Sequence, residues 1–134
     1  MKEKKKIEVV AGIIINNDEI LCVQRPINKY DYISKKFEFP GGKIEQSETK
    51  KEALKRELIE ELNIEPSITD LYLTVVHQYP DFELTMHSFI CKASSMTITL
   101  NEHISHQWLT KEKLSSLDWA AADLPIVQKL MCNE

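Results

Sequence analysis

The chain of 134 residues carries a net charge of −4 and is 43% hydrophobic and 28% charged, the balance of one folded domain that needs neither disulfide nor metal to bury a core. That composition excludes long disorder, collagen-like repeats and the strongly basic surface of a duplex-DNA binder. Glycine is the anomaly: there are three, where ordinary usage gives about nine, so each is expected where the backbone has no substitute.

The basic start, Lys2 with Lys4, Lys5 and Lys6, predicts a frayed, solvated end over residues 1–6. Residues 7–15 (IEVVAGIII) are β-branched and nearly continuously apolar, the pattern of a strand covered on both faces. Asn16-Asn17-Asp18 is turn chemistry, and 19–25 is the returning strand. The polar stretch 26–37 is expected to be a loop, free to bind a partner subunit or to close over a substrate. Glu38-Phe39-Pro40-Gly41-Gly42 is expected to be an extended piece ending in a tight turn.

Thr49 and Glu52 make a capping box, and Leu54, Leu58 and Leu62 recur at i, i+4 and i+8. A helix is therefore predicted over about 50–62, with Asn63 as its left-handed end and Pro66 preventing continuation. Strands near 70–79 and 83–92 turn at Pro80-Asp81, and another follows near 104–109. Short helices follow Thr110 and Asp123, the second with Pro125 at its second position. The order ββ-α-βββ-αα predicts one α/β domain, a mixed sheet with helices packed on both sides.

Cys22 and Cys91 lie inside apolar runs and, with Cys132, show neither a pairing pattern nor a ligand spacing, which predicts free thiols in a reducing compartment. No apolar run approaches a membrane span and no signal peptide is recognisable, so a cytoplasmic protein without a membrane partner is expected. His77, His87, His103 and His106 share no zinc-ligand spacing, and Trp108 and Trp119 are expected in the core or an interface.

The chemistry concentrates on the first helix. At 100° per residue Glu57, Glu60 and Glu61 fall within an arc of about 100°, beside the leucine stripe. Like charges so placed repel unless cations compensate: Arg56 for one, a hard divalent cation with oxygen ligands for the rest. A merely solvated acidic face shows the same three glutamates. The segment before the helix favours a site, because Gly41-Gly42 lets backbone approach a ligand, Lys43 brings a point charge suited to phosphate, and Glu48 adds a carboxylate.

From Gly42 the chain runs five residues to Glu48, seven more, then Arg56-Glu57-Leu58-Ile59-Glu60-Glu61-Leu62-Asn63-Ile64. This resembles the Nudix box, G-x5-E-x7-R-E-U-x-E-E-x-G-U with U a bulky aliphatic, at every fixed position but Asn63, where the family has glycine. Asparagine is the next-best residue for a left-handed helix end. The flanks AGIII, ILCVQRP, EFPGGKIE and DWAAADLPIVQKL resemble the MutT-like branch, of 8-oxo-dGTP and CTP pyrophosphohydrolase type.

The resemblance implies a Nudix-type α/β/α sandwich around a mixed sheet and a hydrolase that uses Mg²⁺ or Mn²⁺. Its substrates are nucleoside triphosphates, attacked by water at the β-phosphorus to give monophosphate and pyrophosphate, a sanitising of oxidised or modified nucleotides that serves DNA repair. It implies metal binding by Glu57, Glu60 and Glu61 with the Gly41 carbonyl as an extra ligand, and Glu48 and Arg56 orienting those carboxylates. The catalytic set is then Glu57, Glu60, Arg56 and a later loop glutamate, for which Glu102, six residues before Trp108, is the matching candidate, an exposed loop acid being the other reading of it. Either Glu57 or Glu102 takes the proton from water.

The candidate substrate contacts are Arg25, Phe39, Lys43, Tyr79 and Asp123; Tyr79 stands where the branch has a pocket aromatic and is also an ordinary strand residue. Arg25 is either a base or phosphate contact or a sheet-edge cation, and Phe39 either packs a base or joins the core. Asp123 stands where the branch has a base-reading asparagine and also suits a helix N-cap. Ionised, it only accepts hydrogen bonds, which suits a guanine edge or the cytosine amino group. Two other readings stand beside this one: a Nudix hydrolase of a nucleotide sugar or dinucleotide polyphosphate, and a nucleotide-sensing Nudix domain without catalysis. A monomer or homodimer without a stable nucleic-acid partner is expected.

Overall fold

The computed structural model describes residues 4–132, so Met1, Lys2 and Glu3 of the expected frayed end lie outside the described residues. The rest of that end is ordered, contrary to expectation. Strand β1 runs Lys5–Asn16, and Lys5 and Lys6 pair with Phe82 and Glu83. Lys4 Nζ donates to the Tyr79 carbonyl at 2.7 Å. The partner strand continues past the apolar run, and its backbone groups need ladder partners there.

Asn17 and Asp18, both at positive φ, form the tight turn into β2, Glu19–Gln24, whose twist matches that of paired strands. Strands β3 (Phe37–Glu38) and β4 (Gly41–Lys43) precede helix α1, Lys50–Leu62. The Thr49–Glu52 capping box opens α1 and Asn63 closes it at φ 55°. Strands β5 (Ser67–Gln78) and β6 (Phe82–Lys92) form a long hairpin closed by the Tyr79 N–H donating to the Phe82 carbonyl. After β7, Ser105–Leu109, the helix predicted behind Thr110 is a 3₁₀ helix, Lys111–Ser116. The last, α2, Leu124–Cys132, follows a single 3₁₀ turn, Ala121–Asp123.

The sheet order is β3-β2-β1-β6-β5, with β4 also pairing with β1 and β7 with β2. Strands β1 and β6 run parallel and the other pairs antiparallel. Helix α1 covers one face, burying Leu54, Leu58 and Leu62 against Val10 and Ile14. The other face packs Ala11 and Ile13 against Ile126, Val127 and Leu130 of α2 and against Trp119. This is the predicted α/β fold with a mixed sheet, and cover on both faces is why the β1 run is apolar without alternation. Each buried leucine of α1 stabilises the packing by about 1.5–3 kcal/mol.

The tight turn expected at Gly41-Gly42 is instead strand β4, and neither glycine has a positive φ. Close approach explains them. A Cβ on Gly41 would lie 1.9 Å from the Val10 carbonyl oxygen, inside any allowed contact. Cys22 and Cys91 are buried free thiols that burial pushes up to about 12, and Cys132 is an exposed one. Trp119 is core, its ring tilted on Phe39 and its Nε1–H donating to the Leu114 carbonyl, while Trp108 is half-buried on the α1 side. Among the described residues no helix is long and apolar enough to cross a membrane.

Candidate active site

A cavity of about 870 Å³ is bounded by β1, β4, the flank of α1, the loop after β2 and the β5–β6 turn. Of the residues singled out in the sequence, Arg25, Phe39, Gly41, Lys43, Glu57, Glu61, Tyr79, Glu102 and Asp123 line it. Glu48, Arg56 and Glu60 are not among its lining residues; they stand along α1 and its entry.

The leucine stripe sets the roll of α1 and thereby aims Glu57 and Glu61 at the cavity. Arg56 orders this acidic end. Its Nε and Nη2 donate to the two oxygens of Glu48 at 2.7 and 2.9 Å, its Nη1 to Glu57 Oε1 at 2.9 Å, and its Nη2 to the Lys43 carbonyl at 3.0 Å. Glu60 lies at the margin of this fork, 3.4 Å from Nη1. The Arg56 hydrogen bonds hold the Glu48 carboxyl down at about 2. Glu57 is shifted up instead, because burial outweighs Arg56 there.

Glu61 is 3% exposed. Burial first, then the charges of Glu38, Glu102 and Glu57, push its carboxyl up to about 9, and its Oε1 is buried without a hydrogen-bond partner. Among the described residues no group of three His, Cys, Asp or Glu side chains is gathered as a ready ligand set; the three box glutamates are neighbours on one helix flank, two of them drawn to Arg56. Crowded, partly desolvated carboxylates with an orphaned oxygen nevertheless have the chemistry of a hard divalent cation's donors.

At the other end of the cavity Asp123 is buried, and its Oδ1 accepts the Phe39 N–H at 3.1 Å. The expected N-cap role is not seen: the side chain reaches back to the β3–β4 link rather than to α2. Burial, then the nearby Glu38 charge, holds this carboxyl well above its ordinary value, and a neutral carboxyl both donates and accepts, as asparagine does.

Tyr79 is buried, with its hydroxyl accepting the Ala122 N–H at 3.0 Å. Phe39 joins the core, packed on Trp119 with ring centroids 4.7 Å apart, and also lines the cavity. Arg25 donates from Nη1 to Glu38 Oε1 at 3.1 Å. The loop after β2 rests on the β5–β6 turn, Tyr32 stacking on Tyr79 and donating to Asp81 Oδ2 at 2.7 Å.

Among the lining residues that the sequence reading did not single out are Glu38 and His103. The buried His103 Nε2 donates to Glu38 Oε2 at 3.0 Å and lies 3.7 Å from Glu61 Oε2. Arg25, Glu38, His103 and Glu61 thus form one polar line running to the acidic end of the cavity. The signals were adjacency alone, Glu38 near the glycine pair and His103 beside Glu102.

A profile of the NUDIX domain matches residues 10–129. The chain belongs to the Nudix family. It is 32% identical over 127 residues to the 8-oxo-dGTP diphosphatase of Escherichia coli K12, covering 94% of this chain and 97% of that one. It is equally 32% identical to the CTP pyrophosphohydrolase of the same organism, covering 95% and 93%. The solution structure of the E. coli ORF135 protein superposes with a TM-score of 0.82 at 32% identity, covering 96% and 90%.

Within this Nudix chain the one departure from the box is structurally absorbed. Asn63 adopts the left-handed conformation and its N–H donates to the Ile59 carbonyl at 3.0 Å, closing α1 as glycine would.

Proposed function

We propose that the protein is a divalent-metal-dependent nucleoside triphosphate pyrophosphohydrolase, converting a (d)NTP and water to a (d)NMP and pyrophosphate, with Mg²⁺ as its cation. Its substrates are oxidised or modified guanine or cytosine nucleotides. One observation carries the reading: in a Nudix chain, a single cavity joins a buried hydrogen-bonding pocket to the acidic flank of α1. Two relatives, named 8-oxo-dGTP diphosphatase and CTP pyrophosphohydrolase, support it.

Glu57, Glu60 and Glu61, with the Gly41 carbonyl, would hold Mg²⁺, which neutralises phosphate oxygens and acidifies bound water. The chain's own groups do the rest. Asp123 hydrogen-bonds the base edge while Phe39 and Tyr79 wall the pocket, fixing the reacting phosphorus against the acidic end. Lys43 and Arg25 balance the negative charge of the triphosphate. Arg56 holds Glu57 and Glu48 in one orientation, and a carboxylate oxygen of Glu57 or Glu102 receives the proton of the attacking water.

The test is pyrophosphate release, with Mg²⁺, from a panel of normal, oxidised and methylated (d)NTPs. A preference in kcat/KM for modified guanine or cytosine nucleotides is expected. Release from none of them would end this reading.

A further inference from the structure

Glu102 is the one candidate carboxylate at the acidic end that comes from outside α1 and its entry segment, and it is exposed. Its charge lies close enough to Glu61 and Glu57 to act on both, and a carboxylate beside other carboxylates is favoured to move outward toward water. A side chain on an ordinary surface loop would yield to that push.

The residues on either side of Glu102 resist it. Before it, the Asn101 N–H donates to the Glu61 carbonyl at 3.0 Å and Asn101 Nδ2 to the Glu60 carbonyl at 2.8 Å. Both carbonyls belong to the last turn of α1, whose acceptors have no partner within the helix. After it, the buried His103 imidazole donates to Glu38, and the Ile104 N–H donates to the Gln24 carbonyl at 3.0 Å. Glu102 is strung between the helix that carries the box glutamates and the end of β2 at Gln24, next to Arg25.

We propose that Asn101 and His103 are positioning residues that hold Glu102 at the acidic flank of α1. This rests on the reading that Glu102 takes part in the proposed hydrolysis. Neither residue needs to touch the nucleotide. Asn101 adds no charge to a crowded acidic site, and the buried His103 next to Glu102 is tied to the half-buried Glu38 carboxylate rather than to solvent.

The experiment compares E102Q, N101A, H103A and H103Q with the doubles N101A/E102Q and H103A/E102Q in the full chain. Readouts are kcat and KM with Mg²⁺, thermal unfolding, and amide hydrogen exchange without metal. E102Q should lower kcat by about 10²-fold or more, the loss expected of a group in proton transfer. N101A and H103A should each lower kcat about tenfold with nucleotide KM within about twofold, and each double should be no worse than E102Q. H103Q, whose amide N–H reaches the place of the imidazole Nε2, should recover most of the loss. N101A should speed exchange at the amides of residues 101 and 104 while Leu58 and Leu62 stay protected.

Doubles whose losses multiply would overturn the proposal, as would loss of protection throughout α1 in N101A. A large effect of E102Q with wild-type kcat in N101A and H103A would overturn the positioning role alone. An unchanged kcat in E102Q would overturn it together with the reading of Glu102.

Discussion

The Glu57 carboxylate lies directly against Gly42: a Cβ on residue 42 would sit 2.3 Å from Glu57 Cδ and 2.4 Å from Oε2. The requirement for glycine there comes from a neighbouring helix's side chain. Gly42→Ala is therefore expected to fold, because the group displaced is the end of a flexible side chain. It should lower kcat about tenfold or more by moving Glu57 off its position. Asn63→Gly should leave kcat and the unfolding midpoint near wild type, since glycine tolerates the left-handed conformation that Asn63 already adopts. Measuring both variants by kcat and thermal unfolding checks the ranking, and the reverse order would sink it. Gly41→Ala should fail differently, as loss of folded protein, because its Cβ meets the Val10 backbone.

Arg56 serves Glu48, Glu57 and the Lys43 carbonyl together. An ammonium cannot reproduce a planar fork, so Arg56→Lys should recover only part of what Arg56→Ala loses. Both should raise the Mg²⁺ concentration needed for half-maximal activity, since groups that orient a metal's ligands through hydrogen bonds typically matter about 10–100-fold. A Mg²⁺ titration of the two variants that overlays wild type would refute this.

Asp123 predicts a pH dependence of stability with a definite sign. Its folded carboxyl lies well above the ordinary value of 3.8, through burial first and then Glu38. Below that ordinary value both folded and unfolded chains bind the proton, and its contribution to stability is fully present. As pH rises, the unfolded chain ionises while the folded one stays neutral, so the contribution is lost until pH passes the folded value. Asp123→Asn keeps the acceptor for the Phe39 N–H and removes the titration. Unfolding midpoints between about pH 4 and 8 should therefore fall less steeply in the variant. Parallel curves would show that Asp123 is not held neutral.

Glu61 is buried among like charges with one oxygen unpartnered. Glu61→Gln should therefore leave the metal-free protein at least as stable as wild type. It should also lose the rise in unfolding midpoint that saturating Mg²⁺ gives the wild type, because stabilisation by a ligand follows its affinity for the folded state. A Mg²⁺-induced shift in Glu61→Gln equal to that of wild type would remove Glu61 from the cation's donors.

The sequence by itself determined α1 and its chemistry. The Thr49–Glu52 box, the stripe Leu54–Leu58–Leu62 and the left-handed Asn63 act within one or two turns, and helical geometry alone places Glu57, Glu60 and Glu61 on one flank. The turn at Asn17-Asp18 was equally local. Only the tertiary structure decided that Gly41-Gly42 is a strand rather than a turn, because that depends on β1 and Glu57 crowding it. It alone decided that Lys5 and Lys6 are paired. The Phe39–Asp123 and His103–Glu38 hydrogen bonds join segments 84 and 65 residues apart in the chain. Hydrogen-bond and capping preferences are carried by near neighbours. What removes a carboxyl from water, and which charge then faces it, is set by chain segments that meet only when the fold closes.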